Sequence, residues 1–140
     1  MDIDHFKKIN DRYGHAGGDV ALRLLTSTVK QCLSRAAPSA IFSRTGGEEF
    51  TVVVPGFDLL DAYSLAEILR ERVSTVVVDV HSSSFGMTVS IGVASLSERD
   101  ATFAALLARA DEALYDAKAT GRNRVCKSLP KAFHAFAAVG

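Results

Sequence analysis

Three stretches of this 140-residue chain combine acid, base and glycine densely enough to do chemistry. The first is DIDHFKKINDRYGHAGGD at residues 2–19. Asp2 and the carbonyl oxygen of Ile3, at the end of a short strand, form an oxygen donor pair of the kind a hard cation such as magnesium takes. Asp4 is expected to point to the opposite face of the strand from Asp2 and so not to ligate the same ion. The same residues equally suit a solvated strand end followed by an Asn-Asp turn. The second stretch, SRTGGEEF at 43–50, sets Glu48 and Glu49 just beyond Gly46 and Gly47. Glycine lets a ligand lie against the backbone, and Glu48 could bring its carboxylate to the ion of Asp2. The alternative is an exposed hairpin tip whose glutamates keep a strand edge soluble. The third, AKATGRN at 117–123, spaces Lys118 and Arg122 four apart across a helix C-terminus, close enough to converge on one anion. A helix C-terminus also favours cations through its dipole alone. Jointly, acidic metal ligands, a glycine turn and phosphate-directed cations are the parts used in phosphoryl or nucleotidyl transfer.

Other chemistries fit less well. The four histidines have no zinc-ligand spacing, and Cys32 and Cys126 read as two reduced, buried thiols of a cytoplasmic protein. Sixteen basic against sixteen acidic residues leave no net field to hold a nucleic acid or an anionic membrane. No apolar run approaches the roughly 20 residues that cross a bilayer, so no direct membrane contact is expected.

The elements that must position these residues follow from periodicity. GGDVALRLLTSTVKQCLSR carries Leu22, Leu25, Val29 and Cys32 or Leu33 at helical spacing, and a short strand containing DID precedes it. SAIFSR and EFTVVVPG read as a hairpin whose tight double-glycine turn needs positive φ. DLLDAYSLAEILRERV is a helix with Asp58 as N-cap. STVVVDVHS and FGMTVSIGVAS read as strands separated by a serine turn. TFAALLARADEALYDAKATG is a third helix ended by Gly121, and NRVCK a last strand. With 48% hydrophobic residues the chain can build one core. The expected fold is α/β, a single central, mostly antiparallel sheet covered by helices. Residues 1–128 form the domain, and 129–140 are expected to be a loosely packed or linker tail.

In order and spacing, DIDHFKKIND, YGHAGGD, RTGGEEF, TVSIGVA, ADEALYDAK and GRNRV resemble the GGDEF domain of bacterial diguanylate cyclases, in a GGEEF form, over residues 2–127. The resemblance implies a fold like the nucleotide-cyclase or polymerase palm. It implies condensation of two GTP, one on each of two facing subunits of a homodimer, to cyclic di-GMP and two pyrophosphates. Asp2, the Ile3 carbonyl and Glu48 would be ligands of Mg2+, for which Mn2+ could substitute, with Glu49 a further ligand or support. Asn10 and Asp19 match the pair that reads guanine, and His15 a substrate contact. Phe6, Lys7, Lys118 and Arg122 match positions around the phosphates, Lys7 stabilising charge there and Glu48 accepting a proton. Arg44 is the arginine before the turn. The family pattern begins upstream of Asp2, so the resemblance implies an N-terminally truncated, cytoplasmic output domain of a larger sensor. Many relatives carry an inhibitory Arg-x-x-Asp motif shortly before the double glycine. Here that window reads Ala37, Pro38, Ser39, Ala40, so that product site is expected to be absent, leaving product to bind at the active site. Arg70 or Arg72 falls near a secondary arginine of that site, or is a plain helix-surface residue. A non-catalytic GTP-binding regulatory module is the alternative function.

Overall fold

Strand β1, Asp2–Ile3, lies at the centre of the sheet. The computed structural model describes residues 1–98 and 100–128, so the expected tail at 129–140 lies outside the described residues. β1 pairs antiparallel with β6, Val89–Val93, in the register Asp2 to Ser90 and Ile3 to Val89. β6 in turn pairs parallel with β7, Val125–Lys127. On the other side, Met1 and Phe50 exchange backbone hydrogen bonds of 3.0 and 2.8 Å, and Asp2 bridges to Glu49. These contacts join the β2–β3 hairpin, Ile41–Arg44 and Phe50–Val53, to the rest. The resulting strand order is β2-β3-β1-β6-β7.

Helices cover both faces. Helix α1, Phe6–Ala36, and helix α2, Leu59–Ser74, pack with Ile3, Val89, Ile91 and Val93 in one core. Leu25 and Val29 are fully buried there, and truncating Leu25 to alanine would cost about 2–5 kcal/mol. Asp58 caps α2 as expected, accepting from the N–H groups of Leu60 and Asp61 at 2.8 Å. Helix α3, Phe103–Ala119, lies on the opposite face. Gly92 makes that possible: a Cβ there would stand 2.0 Å from the Ala110 carbonyl oxygen. Strand alternation therefore gives β6 an apolar face of Val89, Ile91 and Val93, and a face of Ser90 and Gly92 beneath α3.

Three expectations need correction. Residues 6–13 are helical, not a turn: Phe6, Ile9 and Tyr13 have helical spacing, and the helix is interrupted only at Gly14, whose φ 70 and ψ 171 belong to a region open essentially to glycine. Only Ser82 of the serine cluster lies in the turn, while Ser83 and Ser84 enter strand β5, Ser83–Gly86, which pairs with β4, Val77–Val80. The reversal falls on His81–Ser82, with His81 at φ 53. The double glycine is not a tight turn either. Arg44 pairs with Phe50, so five residues bridge the strands, and neither Gly46 nor Gly47 has positive φ. A loop of that length reverses the chain with ordinary dihedrals.

Candidate active site

The loop 45–49 is organised by its flanking arginine. Arg44 Nε donates to the carbonyls of Gly46 at 3.1 Å and Gly47 at 3.0 Å, while Thr45 N–H donates to the Glu49 carbonyl at 2.9 Å. Gly46 lets the Glu49 carboxylate fold over it, since a Cβ there would meet Glu49 Oε2 at 2.6 Å and the side chain would have to move. Gly47 faces open space. The two glutamates are handled differently. Glu49 stands across from Asp2 in register, whereas the Glu48 carbonyl accepts from Ile3 N–H at 3.4 Å.

β1 and the residue that follows it bring two carboxylates, Asp2 and Asp4, to the face beneath α3. Asp2 is buried, and its Oδ2 lies 2.9 Å from Lys118 Nζ in the last turn of α3. Asp4 is also buried and fully engaged. Its Oδ1 accepts from Ser90 Oγ at 2.6 Å, and its Oδ2 from Thr88 Oγ1 at 2.7 Å and Asn123 N–H at 2.9 Å. Contrary to expectation, Asp4 therefore shares the face of Asp2, as strand alternation gives residues two apart, and what sets it apart is that both its oxygens already accept hydrogen bonds from Ser90, Thr88 and Asn123. The polar pair Thr88 and Ser90, two apart in the apolar run MTVSIGV, was the sequence signal of a buried polar partner.

Helix α1 opens directly after these groups. His5, its N-cap, has left-handed φ 56 and makes no side-chain cap bond, and the first turn carries Lys7 and Lys8 but no acid. Uncapped N–H groups, the positive end of the helix dipole and a lysine make a site suited to an anion. Beyond the interruption at Gly14 the chain returns so closely that Gly17 and Gly18 have no room for side chains. A Cβ on Gly18 would lie 2.0 Å from Asn10 Oδ1 and 3.1 Å from the Phe6 ring. Asn10 is thereby brought against the backbone next to Asp19. Asp19 in turn shares a groove of about 600 Å3 with Leu22, Arg23, Lys30 and Arg44, linking α1 to the loop 45–49. Such a volume is within the range of small-molecule sites.

The remaining expected residues are less constrained. His15 and Lys7 are exposed, and among the described residues their side chains make no hydrogen bond or ion pair. Lys118 is engaged with Asp2, and Arg122 follows the helix end at left-handed φ 63.

Among the described residues no group of three or more His, Cys, Asp or Glu side chains gathers as a metal cage. The donors present still fit Mg2+. The Asp2 carboxylate is only 6% exposed beside the Lys118 ammonium, and Glu48 returns no backbone bond to the Ile3 carbonyl. Magnesium characteristically takes one or two carboxylates and completes its shell with water and substrate phosphate. No described helix is long and apolar enough to cross a membrane.

The family profile described as Diguanylate cyclase, GGDEF domain, matches residues 1–124. The chain is a member of the GGDEF domain family. Diguanylate cyclase A of Treponema denticola is 40% identical over 135 residues, covering 94% of this chain and 36% of that protein. Two solved structures align with TM-score 0.83. One is the active GGEEF domain of a diguanylate cyclase from Vibrio cholerae, at 36% identity over 92% of this chain and 80% of that one. The other is the GGDEF domain of DgcB from Caulobacter crescentus in complex with c-di-GMP, at 35% identity over 91% of this chain and 74% of that one. The fold of this GGDEF domain is accordingly the cyclase-palm-like α/β arrangement expected from its motifs.

Proposed function

We propose that this GGDEF domain is a diguanylate cyclase, condensing two GTP into cyclic di-GMP and two pyrophosphates. The observation that carries the reading is the meeting of Asn10 with the Gly18–Asp19 backbone, beside an uncapped helix N-terminus and the Asp2–Lys118 pair. Asp19 accepts hydrogen bonds from guanine N1–H and N2–H2, and the Asn10 amide complements the remaining edge. Adenine presents no such donor pair, so selectivity for GTP resides there. The first turn of α1, Lys118 and Arg122 receive the phosphates, with Lys7 beside the charge that builds during transfer. Mg2+, held by Asp2, the Ile3 carbonyl and Glu48 and replaceable by Mn2+, would polarise the α-phosphate and acidify the 3′-hydroxyl.

Each 3′-oxygen attacks the α-phosphorus of the other nucleotide, the bond to pyrophosphate breaks, and Glu48 takes the hydroxyl proton. Glu49 supports the loop from across Asp2. One subunit holds one nucleotide, so ring closure needs a homodimer in which two sites face each other.

The window Ala37, Pro38, Ser39, Ala40 lacks the charges of the inhibitory motif, so product acts by occupying the Asn10 and Asp19 pocket. Inhibition by cyclic di-GMP is then competitive with GTP, and a strictly non-competitive pattern would sink that point. The whole reading is tested by incubating the protein at high concentration with GTP and Mg2+ and searching by mass for cyclic di-GMP. GTP binding without product would instead identify a non-catalytic regulatory module.

A further inference from the structure

The turn after α3 is unusual in its backbone. Gly121, Arg122 and Asn123 take φ of 127, 63 and 44 in succession. Glycine adopts such values freely, but residues with a Cβ do so only where surrounding contacts hold them. Those contacts come from three elements. Arg122 N–H donates to the Ala117 carbonyl at 2.9 Å, closing the end of α3. Asn123 N–H donates to Asp4 Oδ2 at 2.9 Å, anchoring the turn to the end of β1. Asn123 Oδ1 accepts from Arg70 Nη1 at 3.2 Å, anchoring it to α2. Arg70 is itself fixed by Glu67, with Nε to Oε2 at 2.8 Å, and its side chain is only 19% exposed.

We infer that Asp4 and Arg70, through Asn123, are positioning residues that hold Arg122 in its left-handed conformation and so aim it at the nucleotide phosphates. This rests on the cyclase reading and adds residues to which that reading gives no role. Arg70 acts here neither as a product-site arginine nor as a free surface residue: it braces the phosphate-binding turn from 53 residues away in sequence. The two braces act on different atoms of Asn123. Asp4 fixes its backbone N–H, and Arg70 fixes its side chain, which prevents the peptide from relaxing into the ordinary right-handed region. With one brace removed, the competent orientation of Arg122 is only a fraction of the population, and apparent affinity for a polyphosphate falls in proportion to that fraction. Base recognition at Asn10 and Asp19 is untouched.

The test compares the uncleavable α,β-methylene analogue of GTP with GMP by calorimetry in Mg2+. Arg70→Ala and Asn123→Gly should each weaken the analogue roughly tenfold while leaving GMP close to the unmodified value. Asn123→Asp, which keeps the acceptor for Arg70, should restore binding of the analogue. Asp4→Asn, which weakens the other brace, should lower affinity for the analogue as Arg70→Ala does. Should that variant fail to fold, the Arg70 and Asn123 variants decide the matter. Equal weakening of both ligands, or of neither, would overturn the inference. Arg122→Ala separates it from the underlying reading: if that variant loses the analogue while Arg70→Ala and Asn123→Gly do not, the braces fail and the phosphate site stands. If Arg122→Ala binds the analogue normally, the phosphate role of Arg122 and the inference fall together.

Discussion

Lys118 Nζ lies 2.9 Å from Asp2 Oδ2, tying the last turn of α3 to the central strand of the sheet. Asp2 is 6% exposed and Lys118 33%, so this is a half-sheltered ion pair whose acid is the costlier member to leave alone. Removing one partner of a fully buried pair costs about 3–5 kcal/mol, and the open side of Lys118 lowers the figure here to about 1–3 kcal/mol. Lys118→Ala should lose that much stability in urea unfolding. Mg2+ should stabilise this variant more than the unmodified chain, because the ion no longer competes with the ammonium. An unchanged midpoint without metal would mean that water, not Lys118, compensates Asp2.

Gly18 offers a test of the proposed base-reading pocket that leaves Asn10 and Asp19 in place. A methyl at this position would stand 2.0 Å from Asn10 Oδ1, so Gly18→Ala must displace the amide from the Asp19 neighbourhood. Preference for GTP over ATP, read as a ratio of binding constants, should fall by about tenfold, the order expected when one of a few specific hydrogen bonds is lost. Gly86→Ala is the control, since nothing lies within 4 Å of its Cβ position and it has no place in the candidate site. Retained preference in Gly18→Ala would take Asn10 out of base recognition.

The sequence was most informative where one local pattern decides one element. Asp58 before an apolar-periodic run, Gly121 after another, and β-branched residues on either side of the loop 45–49 all produced the expected elements. It was least informative where the deciding contact is remote. Residues 6–13 span barely two turns, too few for a clear period, and their helix depends on Gly17 and Gly18 admitting them from the far side of Gly14. The glycines at 46 and 47 suggested positive φ, but glycine also serves close approach, and only the position of the Glu49 carboxylate distinguishes the two. For the candidate site the motifs singled out Asp2, Asn10, Asp19 and the loop 45–49, and the structure sets Asn10 against Gly18 and Asp2 across from Glu49. The braces at Asp4 and Arg70 stayed hidden because their partners are 84 to 119 and 53 residues away.

Acid should expose a different part of the fold. Arg109 donates to both oxygens of Asp100 and, at 2.6 Å, to the Ser95 carbonyl, clasping the segment that leads into α3. Its hydrogen bond holds the Asp100 carboxyl down to about 2, from an ordinary value of 3.8. A depressed folded-state value means that the clasp contributes stability in full above the ordinary carboxylate range, and that the contribution is lost as pH falls from about 4 through about 2. Asp100→Asn should flatten the stability-against-pH curve across that window in urea titrations, while lowering stability at neutral pH. A curve of unchanged slope there would assign the acid sensitivity to other carboxylates.

The register of β1 against the loop makes the paired glutamates separable. Glu49 stands across from Asp2 and folds its carboxylate over Gly46, whereas Glu48 adjoins Ile3 through its backbone. If Glu48 shares the ion of Asp2 and receives the hydroxyl proton, Glu48→Gln removes a charge required during the reaction. Cyclic di-GMP formation should then fall at least about a hundredfold with little change in binding of GMP. Glu49→Gln removes only a supporting carboxylate and should reduce turnover about tenfold or less, with some loss of loop stability. The diagnostic quantity is the order of the two defects in initial rates at saturating GTP and Mg2+. A more severe defect in Glu49→Gln would transfer the ligand and proton-accepting roles to the glutamate that the strand register sets opposite Asp2.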